Sequence, residues 1–196
     1  MIDLKLPVGE KVVRALKAGD AVSISGRIYT GRDKFHKHVA DGGQLPVDFR
    51  DGALYHCGPV VVRAGVTPSG EPEYAVRAAG PTTSVRENPY EPEFIEKSGV
   101  RLIIGKGGMD ERTLAAMKRC GCVYIQAVGG AGALYANSIA KVAGVSMLDE
   151  FGAAEAVWHF DVVDFRGVVA MDARGVSLFE RVSANSRKMF KSWYSR

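Results

Sequence analysis

Three short segments pair a basic residue with turn-forming small residues: Gly31–His36 (GRDKFH), Gly80–Arg86 (GPTTSVR) and Ile104–Met109 (IGKGGM). In the third, the glycines permit unusual φ angles and close backbone approach. The helix expected after them offers free N–H groups to an anion, and Lys106 adds a full charge. It is not a Walker A loop, because Gly107 stands where Ser or Thr is needed and Val100 where the upstream Gly belongs. In the second segment Thr82, Thr83 and Ser84 supply hydroxyls. Arg86 follows Thr82 by four residues, so a helical turn puts both on one side, and Arg can grip a carboxylate bidentately. In the first, Arg32 and His36 are four apart and can share a helix face, with Asp33 placed to cap or orient Arg32. Each segment has a plainer reading: a solvated Gly-rich turn, an N-cap, a mixed-charge surface helix. Together, Arg32, Arg86 and Lys106 are cations from three loops with hydroxyls beside them. A dianion with two carboxylates needs such a set in a partly dry site. Spacing alone supports binding of a small anion.

The elements that must position these loops follow from periodicity. Val12–Leu16 reads as a short helix stopped by Gly19, and Ala21–Thr30 as a strand bent at Gly26. A helix starts near Gly31 and carries Arg32, His36 and Val39. Ala53–Tyr55, Pro59–Arg63 and Tyr74–Ala79 read as short strands, with a turn or hairpin loop over Gly65–Glu73. The second half alternates: helix Glu91–Ser98, strand Val100–Ile104, loop Gly105–Met109, helix Glu111–Arg119, strand Cys122–Ala127, and a small-residue helix Ala131–Val142. Trp158–Val163 and Val168–Asp172 read as two later strands. A strand–Gly loop–helix unit occurring twice predicts a parallel βαβ arrangement. The expected fold is α/β and layered, with a β-rich first half and a βαβ-like second half. Residues 1–178 form one domain in this reading, and 179–196 a helical tail.

The bulk numbers exclude more than they assign. At 196 residues, 46% hydrophobic and 24% charged, the chain can bury a sizeable core. A net charge of +4 raises the prior for anionic ligands. However, the densest basic cluster is C-terminal (Arg181, Arg187, Lys188, Lys191, Arg196) and reads as a solvated tail. No segment reaches the roughly 18 apolar residues of a membrane span, and the N-terminus has no signal-peptide core. Three cysteines, an odd number, argue against a disulfide framework and for a reducing cytoplasm.

Three cysteines are also the number that holds a 4Fe–4S cluster with one open iron. The spacing of Cys57, Cys120 and Cys122 argues against it: Cys120 and Cys122 sit where a helix gives way to a strand, and Cys57 lies in a strand-like run. Buried free cysteines behave as small hydrophobes. Zinc fares no better, because His36, His38, His56 and His159 lack ligand spacing with the cysteines.

At these residues the sequence resembles the β subunit of class I fumarate hydratase and L(+)-tartrate dehydratase, which in larger enzymes forms the C-terminal domain. The resemblance rests on Ser25–Lys37 (SGRIYTGRDKFHK), Tyr55–Val61 (YHCGPVV), Ala79–Arg86 (AGPTTSVR), Ile104–Met109 (IGKGGM), Val128–Ala136 (VGGAGALYA) and Glu155–Phe165 (EAVWHFDVVDF). It implies the swivelling β/β/α fold and reversible hydration of fumarate to malate. It implies that Arg32, Arg86 and Lys106 contact the substrate carboxylates, that Thr82 takes part in proton transfer, and that Asp33 and His36 stand behind them. It implies that this chain ligates no metal, the 4Fe–4S cluster being held by a larger α subunit. The assembly would be a hetero-oligomer, with a β homodimer as a further option.

Tartrate is the alternative substrate, since both molecules are C4 dicarboxylates and differ in contacts to one hydroxyl. The Ile28–Arg32 form of the first motif (IYTGR) favours fumarate. A non-enzymatic small-anion or nucleic-acid binding module is the other class suggested by the charge, and the lack of a basic aromatic stripe counts against it.

Overall fold

Strand β1 (Ile2–Lys5) and helix α1 (Glu10–Ala15) lead into β2 (Ala21–Thr30), the ten-residue strand on which the rest assembles. Its alternating apolar residues Val22, Ile24 and Ile28 are buried, as a half-buried strand requires. Gly26 has φ 120° and marks a register shift in its pairing, so the expected bend is present. The computed structural model describes residues 1–194; the last two positions of the expected tail, Ser195 and Arg196, lie outside the described residues.

After α2 (Asp33–Ala40) come β3 (Ala53–Tyr55), the hairpin β4 (Val60–Val66) and β5 (Pro72–Ala78), and a 3-10 turn Ser84–Glu87. Helix α3 (Glu91–Ser98), β6 (Leu102–Gly105), α4 (Glu111–Cys120) and β7 (Val123–Gln126) form the expected alternating unit. β2, β3, β6 and β7 lie side by side in parallel. The α4 caps show why it starts and stops there. Asp110 accepts from the Thr113 N–H at 2.9 Å, and Gly121 ends it at φ 68°.

Two expectations fail here. The small-residue helix is only α5 (Gly132–Asn137), and β8 (Ile139–Ser146) follows it, then a short α6 (Leu148–Phe151). Ile139, Val142 and Val145 pack on the core from a strand paired with its neighbour; that pairing and the β-branched side chains override the helical preference of the alanines. The two later strands are one strand, β9 (Val157–Met171), turned at Asp164 with φ 53°. One part of it pairs antiparallel with β2 and β8, and the end pairs with β7. Because β9 touches both β2 and β7, the strands β2–β3–β6–β7–β9 close on themselves. The architecture is mixed α/β.

Strand alternation splits the core in two. Tyr55, Leu102, Ile104, Val123 and Ile125 face the inner cluster with Ile24, Phe160 and Phe165. Leu54, Ile103 and Tyr124 face outward to Phe35, Phe94, Ile95 and Met117 of α2, α3 and α4. Helix α7 (Leu178–Tyr194) closes the described chain, with no buried residue of its own.

Candidate active site

The four parallel strands all end at one edge, where loops of α/β sheets gather ligands. Arg32 follows β2, His56 follows β3, Lys106 follows β6, and Gly129 lies just past β7. The 80–86 loop is tied to this edge: Thr82 N–H donates to His56 O at 2.7 Å, and Ser84 N–H to Lys106 O at 3.0 Å. The three expected loops therefore meet.

Arg32 is the N-cap residue of α2. Its guanidinium lies 3.3 Å from Glu155 and 3.8 Å from Asp33, and its Nη1 donates to Ala154 O at 3.4 Å. Gly58 makes room for it, since a Cβ there would stand 2.4 Å from Arg32 Nη1. Arg86 Nη2 donates to Thr82 Oγ1 at 2.9 Å and contacts Asp33 Oδ2 at 3.0 Å. Asp33 thus stands between both arginines and belongs more to Arg86 than to Arg32. Lys106 lies along Gly129, whose Cα-side space a Cβ would fill at 3.3 Å from Lys106 Cδ. Among the described residues Lys106 Nζ has no carboxylate within 4 Å. Its backbone is shaped by Gly107 and Gly108, with φ 86° and 78°, which β-carbons disfavour.

His36 lies beneath this layer, fully buried. Its Nδ1 meets Arg32 O at 3.0 Å and Glu87 Oε2 at 3.4 Å. Its Nε2 is 3.0 Å from Glu91 Oε2, an ion-pair contact without hydrogen-bond alignment. Burial pushes the His36 pKa down, but Glu91 and Glu87 outweigh it and raise it to about 9. Burial pushes Glu91 up, yet His36 and His56 together hold it at about 2. Glu87, with neither oxygen hydrogen-bonded among the described residues, is raised to about 7 by burial against the pull of His36.

Sequence reasoning missed Glu91 and Tyr124, read Ser84 only as one of three loop hydroxyls, and weighed His56 only as a zinc ligand. His56 Nε2 meets Glu91 Oε2 at 3.1 Å and its Nδ1 meets Ser84 Oγ at 2.9 Å. Ser84 Oγ also meets Tyr124 OH at 2.9 Å. His56 and Ser84 stood inside quoted motifs, but Glu91 and Tyr124 carry no local signal. His36, His56 and Glu91 are also a set of three metal-capable side chains with ligand atoms within 4.8 Å. In the ligand-free chain these groups pair with one another, His56 with Glu91 by a hydrogen bond of 3.1 Å and His36 with Glu91 by an ion-pair contact of 3.0 Å.

The three cysteines do not fit a cluster. Cys57 and Cys122 are buried, Cys120 half-buried, and all three are free. Among the described residues the side chains whose ligand atoms gather as a metal-capable set include no cysteine, and burial pushes the Cys57 thiol up to about 12 and Cys122 well above its ordinary value.

Comparison with known proteins decides the family. The family model described as "Fumarase C-terminus" matches residues 1–182. The chain belongs to that family. It is 47% identical over 186 residues to "Putative fumarate hydratase class I" of Geobacillus stearothermophilus, covering 95% of this chain but 35% of that protein. The chain therefore spans about a third of that relative's length. It is 39% identical over 179 residues to "Putative L(+)-tartrate dehydratase subunit beta" of Methanocaldococcus jannaschii, covering 89% of each. It is 29% identical over 189 residues to "L(+)-tartrate dehydratase subunit beta" of Escherichia coli, covering 95% of this chain and 89% of that one.

Proposed function

We propose that this chain is the β subunit of a class I fumarate hydratase and supplies the carboxylate-binding half of its active site. The observation that carries the reading is the Asp33 carboxylate between Arg86 and Arg32, with Arg86 reaching Thr82. Arg86 Nη2 lies 3.0 Å from Asp33 Oδ2, and Arg32 Nη2 stands 3.8 Å from the same oxygen in the ligand-free chain. A substrate carboxylate has the same charge, and Arg can bind one in a bidentate fork. Lys106 adds the charge for the second carboxylate and for the carbanion-like form of the substrate. Thr82 is a poor base unaided. The guanidinium proton directed at its Oγ1 favours the oxygen's negative form and so eases proton transfer.

The iron–sulfur cluster belongs in this reading to a larger α subunit, where its open iron would act as Lewis acid on the departing hydroxide. The subunit names of the relatives support a hetero-oligomer. The swivelling β/β/α layering, a family domain over 1–178 with α7 as its appendage, and a cytoplasmic location belong to the same proposal. Among the described residues no helix is long and apolar enough to cross a membrane, and the free thiols suit a reducing compartment.

The test is reconstitution. The chain alone should show no turnover, and the anaerobic complex with its larger partner should hydrate fumarate. Unchanged kcat in Thr82→Ala and Lys106→Ala complexes would overturn the site assignment. A second reading, tartrate dehydration, is favoured by the names of the two relatives that this chain covers almost completely. Comparing kcat/KM for malate and tartrate decides between them.

A further inference from the structure

A series of buried polar contacts runs beneath all three loops, and its donors and acceptors can be assigned. Gly108 N–H donates to Tyr124 OH at 3.4 Å. The Tyr124 hydroxyl proton is then directed to Ser84 Oγ, and the Ser84 proton to His56 Nδ1. His56 Nε2 faces the ionised Glu91 carboxylate, which can only accept, so Nε2 carries the ring proton and Nδ1 accepts. On the far side His36 Nδ1 faces Arg32 O and its Nε2 faces the Glu91 carboxylate, both acceptors. Both of its nitrogens carry protons, and it stands against Glu91 as an imidazolium.

The series begins under Arg32 and ends in the Lys106 loop. Ser84 is its junction. Its hydroxyl joins His56 to Tyr124, its N–H binds Lys106 O, and it lies two residues from both Thr82 and Arg86. Gly105 leaves space for this arrangement: a Cβ there would fall 1.9 Å from Ser84 Oγ and 3.1 Å from both His56 Nδ1 and Tyr124 OH. A hydrophobic contact in place of these groups would fill the space without fixing a rotation or a loop register.

We propose that Tyr124, Ser84, His56 and Glu91 are positioning residues that act as one unit to hold Thr82, Arg86 and the Lys106 loop in register for the reaction. All four are fully buried beneath the loops and act through the loop residues. This rests on the hydratase reading above. Misplacement of a reacting group by about an ångström is sufficient for a loss of roughly 100-fold.

The test uses the reconstituted complex, with active sites titrated by a tight-binding C4 dicarboxylate so that misfolded enzyme is not counted. Tyr124→Phe and Ser84→Ala each delete one oxygen. Each should lower kcat per titrated site roughly 10- to 100-fold with KM within about twofold of wild type. The double variant should be no worse than the poorer single one, because a broken series cannot be broken twice. The proposal is overturned if kcat per site stays within about twofold, if KM rises in step, or if the two losses multiply. Thr82→Ala and Lys106→Ala serve as references in the same assay. Should they be inactive while Tyr124→Phe and Ser84→Ala are unimpaired, only the positioning role fails. Should they too be fully active, the hydratase reading fails and this proposal with it.

Discussion

Arg86 Nη2 donates to Thr82 Oγ1 across 2.9 Å, and the same nitrogen lies 3.0 Å from Asp33 Oδ2. One guanidinium thus joins the Thr82 hydroxyl to the Asp33 carboxylate. Arg86 is about two-fifths exposed, so the pair adds little to stability; its importance is in geometry and charge.

Replacing Arg86 by Lys keeps the charge and loses the fork. A lysine ammonium cannot hold Thr82 and a carboxylate in fixed relative positions. We expect kcat/KM for malate to fall roughly 100-fold in the assembled enzyme, about 2.7 kcal/mol of transition-state stabilisation. A fall of less than about threefold would show that the fork is not used.

Asp33→Asn removes the internal rival for the two arginines. Binding of an unreactive C4 dicarboxylate should tighten by roughly 3- to 10-fold. Turnover should drop, because the guanidiniums lose the group that aligns them before substrate arrives. Calorimetric titration of wild type and variant measures the first effect, and weaker binding by the variant would contradict it.

Gly105→Ala places a methyl where Ser84 Oγ, His56 Nδ1 and Tyr124 OH converge. The Ser84 hydroxyl must rotate away, leaving buried polar groups unpaired at about 1–3 kcal/mol each. Denaturant unfolding should show a loss of about 2–4 kcal/mol, and the assembled enzyme should lose most of its activity. Gly107→Ala has open space for its Cβ but a φ of 86°. It should cost only about 1–2 kcal/mol.

His36 makes stability depend on pH in a defined window. Its folded pKa of about 9 lies above the ordinary imidazole value of 6.5, so the folded state binds the proton more tightly. The stability it contributes is complete below 6.5 and is lost as pH rises through about 9, up to roughly 3 kcal/mol. Glu91 works in the opposite sense, its contribution present above 4.5 and lost as pH falls towards about 2. Unfolding free energies of the full chain, measured from pH 6 to 9.5, should decline, and His36→Gln should flatten that decline. An equal slope in both proteins would rule the assignment out.

Chain-local signals sufficed for several features. Gly26 broke a β-branched run, and the strand bends there. The Gly105–Gly108 loop followed an apolar strand, and positive φ angles confirm the turn chemistry. The helices α3 and α4 follow their apolar spacing. Local signals misled at β8, where the small-residue run suggested a helix but a neighbouring strand supplied hydrogen bonds. They also misled at β9, where Asp164 turns a strand that continues instead of ending it.

For the site, residue types and loop chemistry pointed to Arg32, Arg86, Lys106 and Thr82, because cations, hydroxyls and glycines in strand-end loops are a local pattern. Which of them meet was settled by folding: four parallel strands finish at one edge and carry the loops together. The buried series of His36, Glu91, His56, Ser84 and Tyr124 comes from five separate places in the chain and has no period or spacing. Its members find one another only because α2, α3, β6 and β7 pack face to face. Their protonation follows from that packing too, since burial strengthens the pull of each charge on its neighbour. Strand ends and glycine turns are short-range properties of the chain, whereas charge pairing inside a core depends on which surfaces are pressed together.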